Sequence, residues 1–510
     1  MALLFSAAAH ADELPLNWSL GGYYRTRLLA VNGLPTNDPL RLRDNAANAT
    51  YGFMRLRLNP TLSYGPDEKL PIVALKMQID GLDNVVFGDN DLVADTPVFG
   101  DLPSDTNIDG VDIETVRLRR AWLEFLVPVG LMRVGRMPTQ WGLGLLAHDG
   151  NGMRGDFGDA LRATTNDRIM FATRPLSVAN ALMGKSSRST PLILVTAYDK
   201  IVEDPFLEST DVRYDPTSGD QARSNLPFGT FLDDEDDVNQ VVVAAVWNDK
   251  KFNRAVEGDE LTAGVYFTYR WQNSSQSKVP IIDFFWRLKW SVFGADAPRL
   301  YTEGEVLTIQ GQSRAISEGT LTEPDIWGAV ARVGLQSTGW DAILEGGHAS
   351  GDDRIGDSEF TGRSLNSDYR VGLLLYPVLL NARTANQTPS SPALWSRGGV
   401  YNSTYFYPHG RWRPLDNVEV VAALLVAWAD ELAPQLGGSQ RDDGTTTCSV
   451  GAGDCMLGIE ADAAVKVRWG PDDLMRWSTE FGILKTGKAL EPVLTQDLLW
   501  TLQTRLAMVW

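Results

Sequence analysis

The chain closes on Leu498-Leu499-Trp500-Thr501-Leu502-Gln503-Thr504-Arg505-Leu506-Ala507-Met508-Val509-Trp510. Read at period two, Leu498, Trp500, Leu502, Leu506, Met508 and Trp510 share one face, and Thr501, Gln503 and Arg505 share the other. One face suits hydrocarbon and the other suits water. A soluble sheet with one solvated face alternates in the same way, so the rest of the sequence has to decide.

Composition favours a membrane wall. The chain has 510 residues, 44% of them hydrophobic, and no Pro- or Ser-rich linker divides it into self-contained halves. Its mean hydropathy is -0.16, and no run of about twenty apolar residues is present for a membrane helix. A β-barrel reconciles such a composition with a membrane, because apolar residues occupy only alternate positions of each strand. Residues 1–11 read as the tail of a secretory signal peptide, an apolar run from Leu3 to Ala9 followed by Ala9-His10-Ala11 as the cleavage site. The expected barrel is then residues 12–510. The two cysteines, Cys448 and Cys455, lie close together in a Gly- and Asp-rich stretch. They suit one small disulfide-closed loop in an oxidising compartment. A net charge of -19 argues against nucleic acid as a partner.

The same alternation recurs along the chain. Tyr24, Thr26 and Leu28 face out against Arg25 and Arg27, and Met54, Leu56 and Leu58 against Arg55, Arg57 and Asn59. Val73, Leu75, Met77 and Ile79 oppose Lys76, Gln78 and Asp80. From Val116 to Val127 the faces exchange at Arg119-Arg120, which predicts a β-bulge there. Later strands are cleaner, and many carry outward tryptophans such as Trp271, Trp286, Trp290, Trp327, Trp340 and Trp477, as an interfacial girdle requires. Counting such runs gives an all-β, up-and-down antiparallel transmembrane barrel of about eighteen strands, with sixteen the nearest alternative. Short turns at Gly65, Pro128, Ser337, Pro414 and Gly470 alternate with long connections, the pattern of short periplasmic turns and long extracellular loops. Tyr369 to Leu380 is strand-like, yet a wall strand there breaks this alternation. Residues Gly351 to Tyr401 are therefore assigned to one long extracellular loop whose apolar part folds inward or packs over the mouth.

With these strands, the secretion tail, the run Leu131-Met132-Arg133-Val134-Gly135-Arg136 before Trp141-Gly142-Leu143-Gly144, and the terminal Trp510, the chain resembles porin-like outer-membrane barrels of Gram-negative bacteria. The alginate-export-type porins are the nearest family. The resemblance covers nearly the whole mature chain as architecture. It implies an outer-membrane channel with an arginine-rich pore, and a last strand read by the barrel-assembly machinery. No substrate-binding residue of that family is matched here, so its polysaccharide substrate does not carry over.

The candidate pore-lining residues are Arg25, Arg27, Arg55, Arg57, Arg117, Arg133, Arg270, Arg287, Arg332, Arg468 and Arg505, joined by Glu303 and Glu305. Further inward charges are Arg411, Arg413, Lys466, Arg476, Glu345, Asp462 and Glu480. Opposed basic and acidic walls put a transverse field across a water-filled lumen, which orients and selects polar solutes. The loop acids are expected to lie beyond about one Debye length of the arginines, roughly 8–10 Å, and to be screened. The expected function is passive passage or export of ions or small polar or anionic solutes. A barrel anchoring an envelope export or surface machine is the alternative, and an outer-membrane hydrolase the remote one. For hydrolysis the one promising cluster is His348 beside Ser350, Asp352 and Asp353. Enzymatic function is not expected. Asp105, Asn107 and Asp109 match the front half of a calcium loop without its closing Glu, the one cofactor site the sequence offers. Expected partners are outer-membrane lipid, lipopolysaccharide and the barrel-assembly machinery; a homo-oligomer or envelope machinery stays open.

Overall fold

A computed structural model describes the chain from residue 16 to residue 510, apart from residues 34–47, 66–70, 88–115, 151–152, 154, 161–162, 186–189, 202–237, 254–255, 295–296, 318–319, 355–356, 386–395, 433–445 and 494–497. Eighteen antiparallel strands among the described residues form one closed ring. They are β1 (Leu16–Asn32), β2 (Asn48–Tyr64), β3 (Val73–Val86), β4 (Val116–Val127), β5 (Gly130–Pro138) and β6 (Thr165–Thr173). Then come β7 (Leu192–Ile201), β8 (Asn239–Asp249), β9 (Glu260–Gln272), β10 (Ser277–Trp290), β11 (Arg299–Gln310) and β12 (Thr320–Gln336). The ring is completed by β13 (Trp340–Ala349), β14 (Ser403–Leu415), β15 (Val418–Ala429), β16 (Met456–Trp469), β17 (Met475–Thr486) and β18 (Leu498–Val509). Two short strands, Ser313–Ser317 and Glu359–Phe360, lie outside the ring.

Each strand pairs with its neighbours in sequence, and the last pairs with the first, from Tyr23 opposite Val509 to Asn32 opposite Trp500. That pairing leaves no wall strand with an open edge. In hydrocarbon this matters, because each unpaired backbone N–H or C=O costs several kcal/mol. The outside is apolar: Leu28, Val243, Val265, Leu344, Leu424 and Leu502 are all exposed. So large an exposed apolar belt does not suit water. Trp290, Trp327, Trp340, Trp469 and Trp477 are exposed among the same outward side chains. None of the helices among the described residues is long and apolar enough to cross a membrane.

The faces exchange in β4 as predicted. Gln78 stands opposite Arg120 and Ile79 opposite Leu118, so Arg119 is the extra residue of a bulge. The start of β1, the end of β18 and the short connections 128–129, 337–339, 416–417 and 470–474 lie at one end of the ring. Long connections, among them 139–164, 350–402 and 430–455, lie at the other, extracellular, end. The tight turn 273–276 between β9 and β10 is the exception there. Residues 1–11 and the calcium-loop residues Asp105, Asn107 and Asp109 lie outside the described residues.

Cys448 and Cys455 are joined in a disulfide, seven residues apart, in the connection after β15. Cys448 N–H donates to the Asp430 carbonyl and Ala429 N–H to the Cys455 carbonyl. A ring this short removes about 2–3 kcal/mol of chain entropy from the unfolded state, and the clasp acts on one loop. Replacing both cysteines with Ser is expected to leave the heat-modifiable electrophoretic mobility of the barrel unchanged while exposing 430–455 to limited proteolysis. Loss of the folded, heat-modifiable form would show instead that the clasp is needed by the wall.

Candidate functional site

A ring of this size is too wide for wall side chains alone to fill, and among the described residues two extracellular connections fold back into it. The first, 139–164, follows β5. Its Gly142 and Gly144 adopt positive φ, +49° and +92°. The resulting curl aims the consecutive N–H groups of Leu143, Gly144 and Leu145 at the Glu305 carboxylate of β11, on the facing wall. A Cβ on Gly142 would collide with that carboxylate. Beside it, Trp141 Nε1 donates to Asp283 Oδ1 at 3.0 Å. The second connection, 350–402, carries a buried helical turn, Leu375–Leu380. It repeats the device: Leu373, Leu374 and Leu375 N–H donate to Glu460 of β16 at 2.6, 2.7 and 2.8 Å.

The two segments meet inside the barrel. Asn366 N–H donates to the Leu145 carbonyl, and Ala163 N–H to Asp368 Oδ2. Leu145, Phe157, Leu365, Tyr369 and Leu373 to Leu375 belong to one buried apolar cluster.

Around this constriction the wall charges are segregated. On β1, β2, β4 and β18 stand Arg25, Arg27, Arg55, Arg57, Arg120 and Arg505, all buried. Arg25 lies directly across from Arg55. Asp159 of the first segment lies between two of them: Arg25 Nη1 donates to its Oδ2 at 2.6 Å, and Arg505 bonds its other oxygen. Arg57 holds Asp80 through two bonds of 2.7 Å. Arg120 donates to Thr165 Oγ1 and to the Asp149 carbonyl.

On β10, β11, β13, β16 and β17 the buried charges are acids, Asp283, Glu303, Glu305, Glu345, Glu460, Asp462 and Glu480, with less buried Arg287, Arg332 and Lys466 beside them. Part of this wall is a cross-strand ladder of alternating sign. Arg287 faces Glu303, Glu303 faces Arg332, and Arg332 faces Glu345, each directly opposite on β10 to β13. Arg332 Nε donates to Glu345 Oε2 at 2.6 Å, and the Tyr369 and Tyr405 hydroxyls donate to Glu345 Oε1 at 2.8 and 2.7 Å. Further ties hold the first segment: Asp156 accepts from Arg411 Nε at 2.5 Å and lies 2.9 Å from His409 Nδ1. Burial alone would raise the Asp156 carboxyl, but His409 and Arg411 hold it well below the usual range. This tie therefore contributes at neutral pH and is lost only as pH falls through that lowered value.

The remaining predicted residues are placed as follows. Arg117 stands opposite Asp80, Arg133 pairs with Glu124 at 2.7 Å, and Arg270 donates to Gln240 Oε1. Arg468 is exposed at the end of β16, paired with Asp473 at 2.6 Å. Loop acids are not all remote from the arginines, contrary to the sequence expectation, since Asp156 and Asp159 lie inside the barrel against them. Sequence reasoning also missed Arg120 and Arg168, the latter bonded to Asp199. Arg120 was hidden by the bulge. Among the described residues no group of three or more His, Cys, Asp or Glu side chains is poised to hold a metal ion. His348 Nδ1 lies 2.9 Å from Thr404 Oγ1, while the Ser350 hydroxyl donates to the Thr361 carbonyl.

No protein-family model matches the chain, and no curated protein matches it in sequence. Solved structures do. Pseudomonas aeruginosa OccK9 (OpdG) is 11% identical, with a TM-score of 0.53 over 97% of this chain and 99% of its own. Pseudomonas aeruginosa OpdK, solved with vanillate, is 10% identical, with a TM-score of 0.51 over 96% of this chain and 98% of its own. At such identity the likeness is one of fold. The chain is folded as a porin-type outer-membrane β-barrel.

Proposed function

We propose that the protein is an outer-membrane channel for passive passage of ions or small polar, anionic solutes. In this reading the two infolded segments set the narrowest part of the path, and the arginine wall sets its preference. One observation carries it: six buried guanidiniums, Arg25, Arg27, Arg55, Arg57, Arg120 and Arg505, stand on neighbouring strands along one side of the lumen. Fixed positive charge clustered in a low-dielectric wall raises the local anion concentration even in a chain of net charge -19. The acids of β10 to β17 supply the opposite pole of the field.

The finer kinship with alginate-export-type porins, and export as the direction of traffic, belong to this proposal and rest on the sequence resemblance alone. The same holds for partners: membrane lipid around the belt, the barrel-assembly machinery at β18, and self-association. Calcium, if held, would take Asp105, Asn107 and Asp109. The scaffold alternative draws on the apolar packing where the two segments meet, and a barrel that passes no current would favour it. Hydrolysis has weak support, because the His348 imidazole is engaged by Thr404 and not by Ser350.

In planar bilayers under a salt gradient, Arg55→Ser with Arg57→Ser is expected to lower the anion-to-cation permeability ratio by about threefold or more, with heat-modifiable folding intact. An unchanged reversal potential in a conducting double variant would remove these arginines from the selective path. Asp159→Asn should act in the opposite sense. It leaves Arg25 and Arg505 without the carboxylate between them, which weakens the infolded arrangement by about 3–5 kcal/mol and shifts the reversal potential toward anions. A shift toward cations would contradict the placement of Asp159.

A further inference from the structure

The tight turn between β9 and β10 leaves the outside of this hairpin bare at the extracellular end, where Asn273, Gln276 and Lys278 are exposed. Beside them is an outward cleft of about 660 Å³, lined by Tyr269, Trp271, Asn273, Gln276, Lys278 and Gln312 among others. Trp271 and Lys278 are cross-strand partners at the end of the pairing. We propose that this cleft binds the phosphorylated sugar head of lipopolysaccharide from the outer leaflet.

Position selects the source. Along β9 the outward side chains run Val265, Phe267, Tyr269, all exposed, and then Trp271. This sequence passes from aliphatic to amphipathic rings, as expected where hydrocarbon gives way to headgroups. The cleft is therefore level with the headgroups of the leaflet that meets the long connections.

Chemistry selects the ligand. The Tyr269 and Trp271 rings stack at 6.0 Å, and Tyr198 flanks Trp271 at 6.4 Å. The Tyr269 and Trp271 rings give the cleft an aromatic wall against which the C–H face of a sugar packs. Asn273, Gln276 and Gln312 bring amides that both donate to and accept from hydroxyls. Lys278 supplies the cation. Lys76, Lys289 and Lys466 each pair with a Glu, whereas among the described residues no carboxylate pairs with Lys278. Its backbone is fixed by two hydrogen bonds to Gln312, at 2.9 and 3.1 Å, so the ammonium is held at the cleft and available to a phosphate. On the neighbouring strand the outward acids are Glu323 and Asp325, and Asp325 is engaged by Gln310 Nε2 at 3.3 Å.

The site goes beyond the channel reading and does not depend on conductance. Native mass spectrometry of the detergent-solubilised barrel, titrated with lipopolysaccharide, with its phosphate-stripped form and with phosphatidylglycerol, tests it. Wild type should prefer intact lipopolysaccharide over both. Lys278→Gln should weaken intact lipopolysaccharide by about tenfold, as for one lost charge-assisted hydrogen bond, and abolish the preference for the phosphorylated form. Trp271→Ala should weaken both forms; if it fails the heat-modifiability check, Trp271→Phe should fold and retain part of the binding. Lys289→Gln should bind as wild type. The proposal is overturned if Lys278→Gln binds as wild type, if Lys289→Gln weakens binding equally, or if phosphatidylglycerol competes as well as lipopolysaccharide.

Discussion

A backbone N–H or C=O away from water has to find a partner, and this requirement shapes the molecule twice. In the hydrocarbon layer it is met by closing the sheet, so that β18 pairs with β1 and no wall edge is left. Inside the barrel it is met by wall carboxylates. Glu305 and Glu460 each gather three consecutive N–H groups from an infolded segment, groups that no sheet or helix ladder would otherwise satisfy. The two segments are docked onto the wall by the same chemistry from different strands.

Once the segments are inside, their own charges belong to the lumen. Asp159 is bonded by guanidiniums from β1 and β18, and Asp156 by groups from β14. The wall therefore orders the segments, and the segments trim the field of the wall. On the arginine side Arg120 is held by the Asp149 carbonyl and the Thr165 hydroxyl. Carbonyl dipoles fix a guanidinium in place without cancelling its charge.

The wall was legible in the sequence because period-two alternation is imposed by lipid on one side and water on the other, strand by strand. Even the exception could be read: the exchange of faces placed the extra residue of a bulge at Arg119-Arg120, and the register makes it Arg119. The facing of Arg25 and Arg55 followed from the same periodicity. The contents of the lumen were legible only in part: the apolar part of 351–401 was expected to fold inward or pack over the mouth, but the first segment was not. The stretch Trp141 to Asp159 looks like a Gly-rich surface loop, and the partners that draw it inward, Glu305 and Glu480, lie 160 and 322 residues away from the groups they bind. In hindsight the signal was Trp141, Leu143, Leu145, Leu146 and Phe157, large apolar side chains in a Gly-rich connection that a solvated loop would leave polar. No local pattern pairs Asp159 with Arg505 across 346 residues.

The central claim is that two segments docked on Glu305 and Glu460 narrow a conducting lumen. Single-channel current through the wild-type barrel, compared with Glu305→Ala, Glu460→Ala and the double variant, tests it most directly. The account predicts a small but finite wild-type conductance, a rise on releasing either segment, and the largest conductance when both are released in a barrel that still shows heat-modifiable folding. A wild-type barrel that passes no current, or a folded double variant with wild-type conductance, would contradict it.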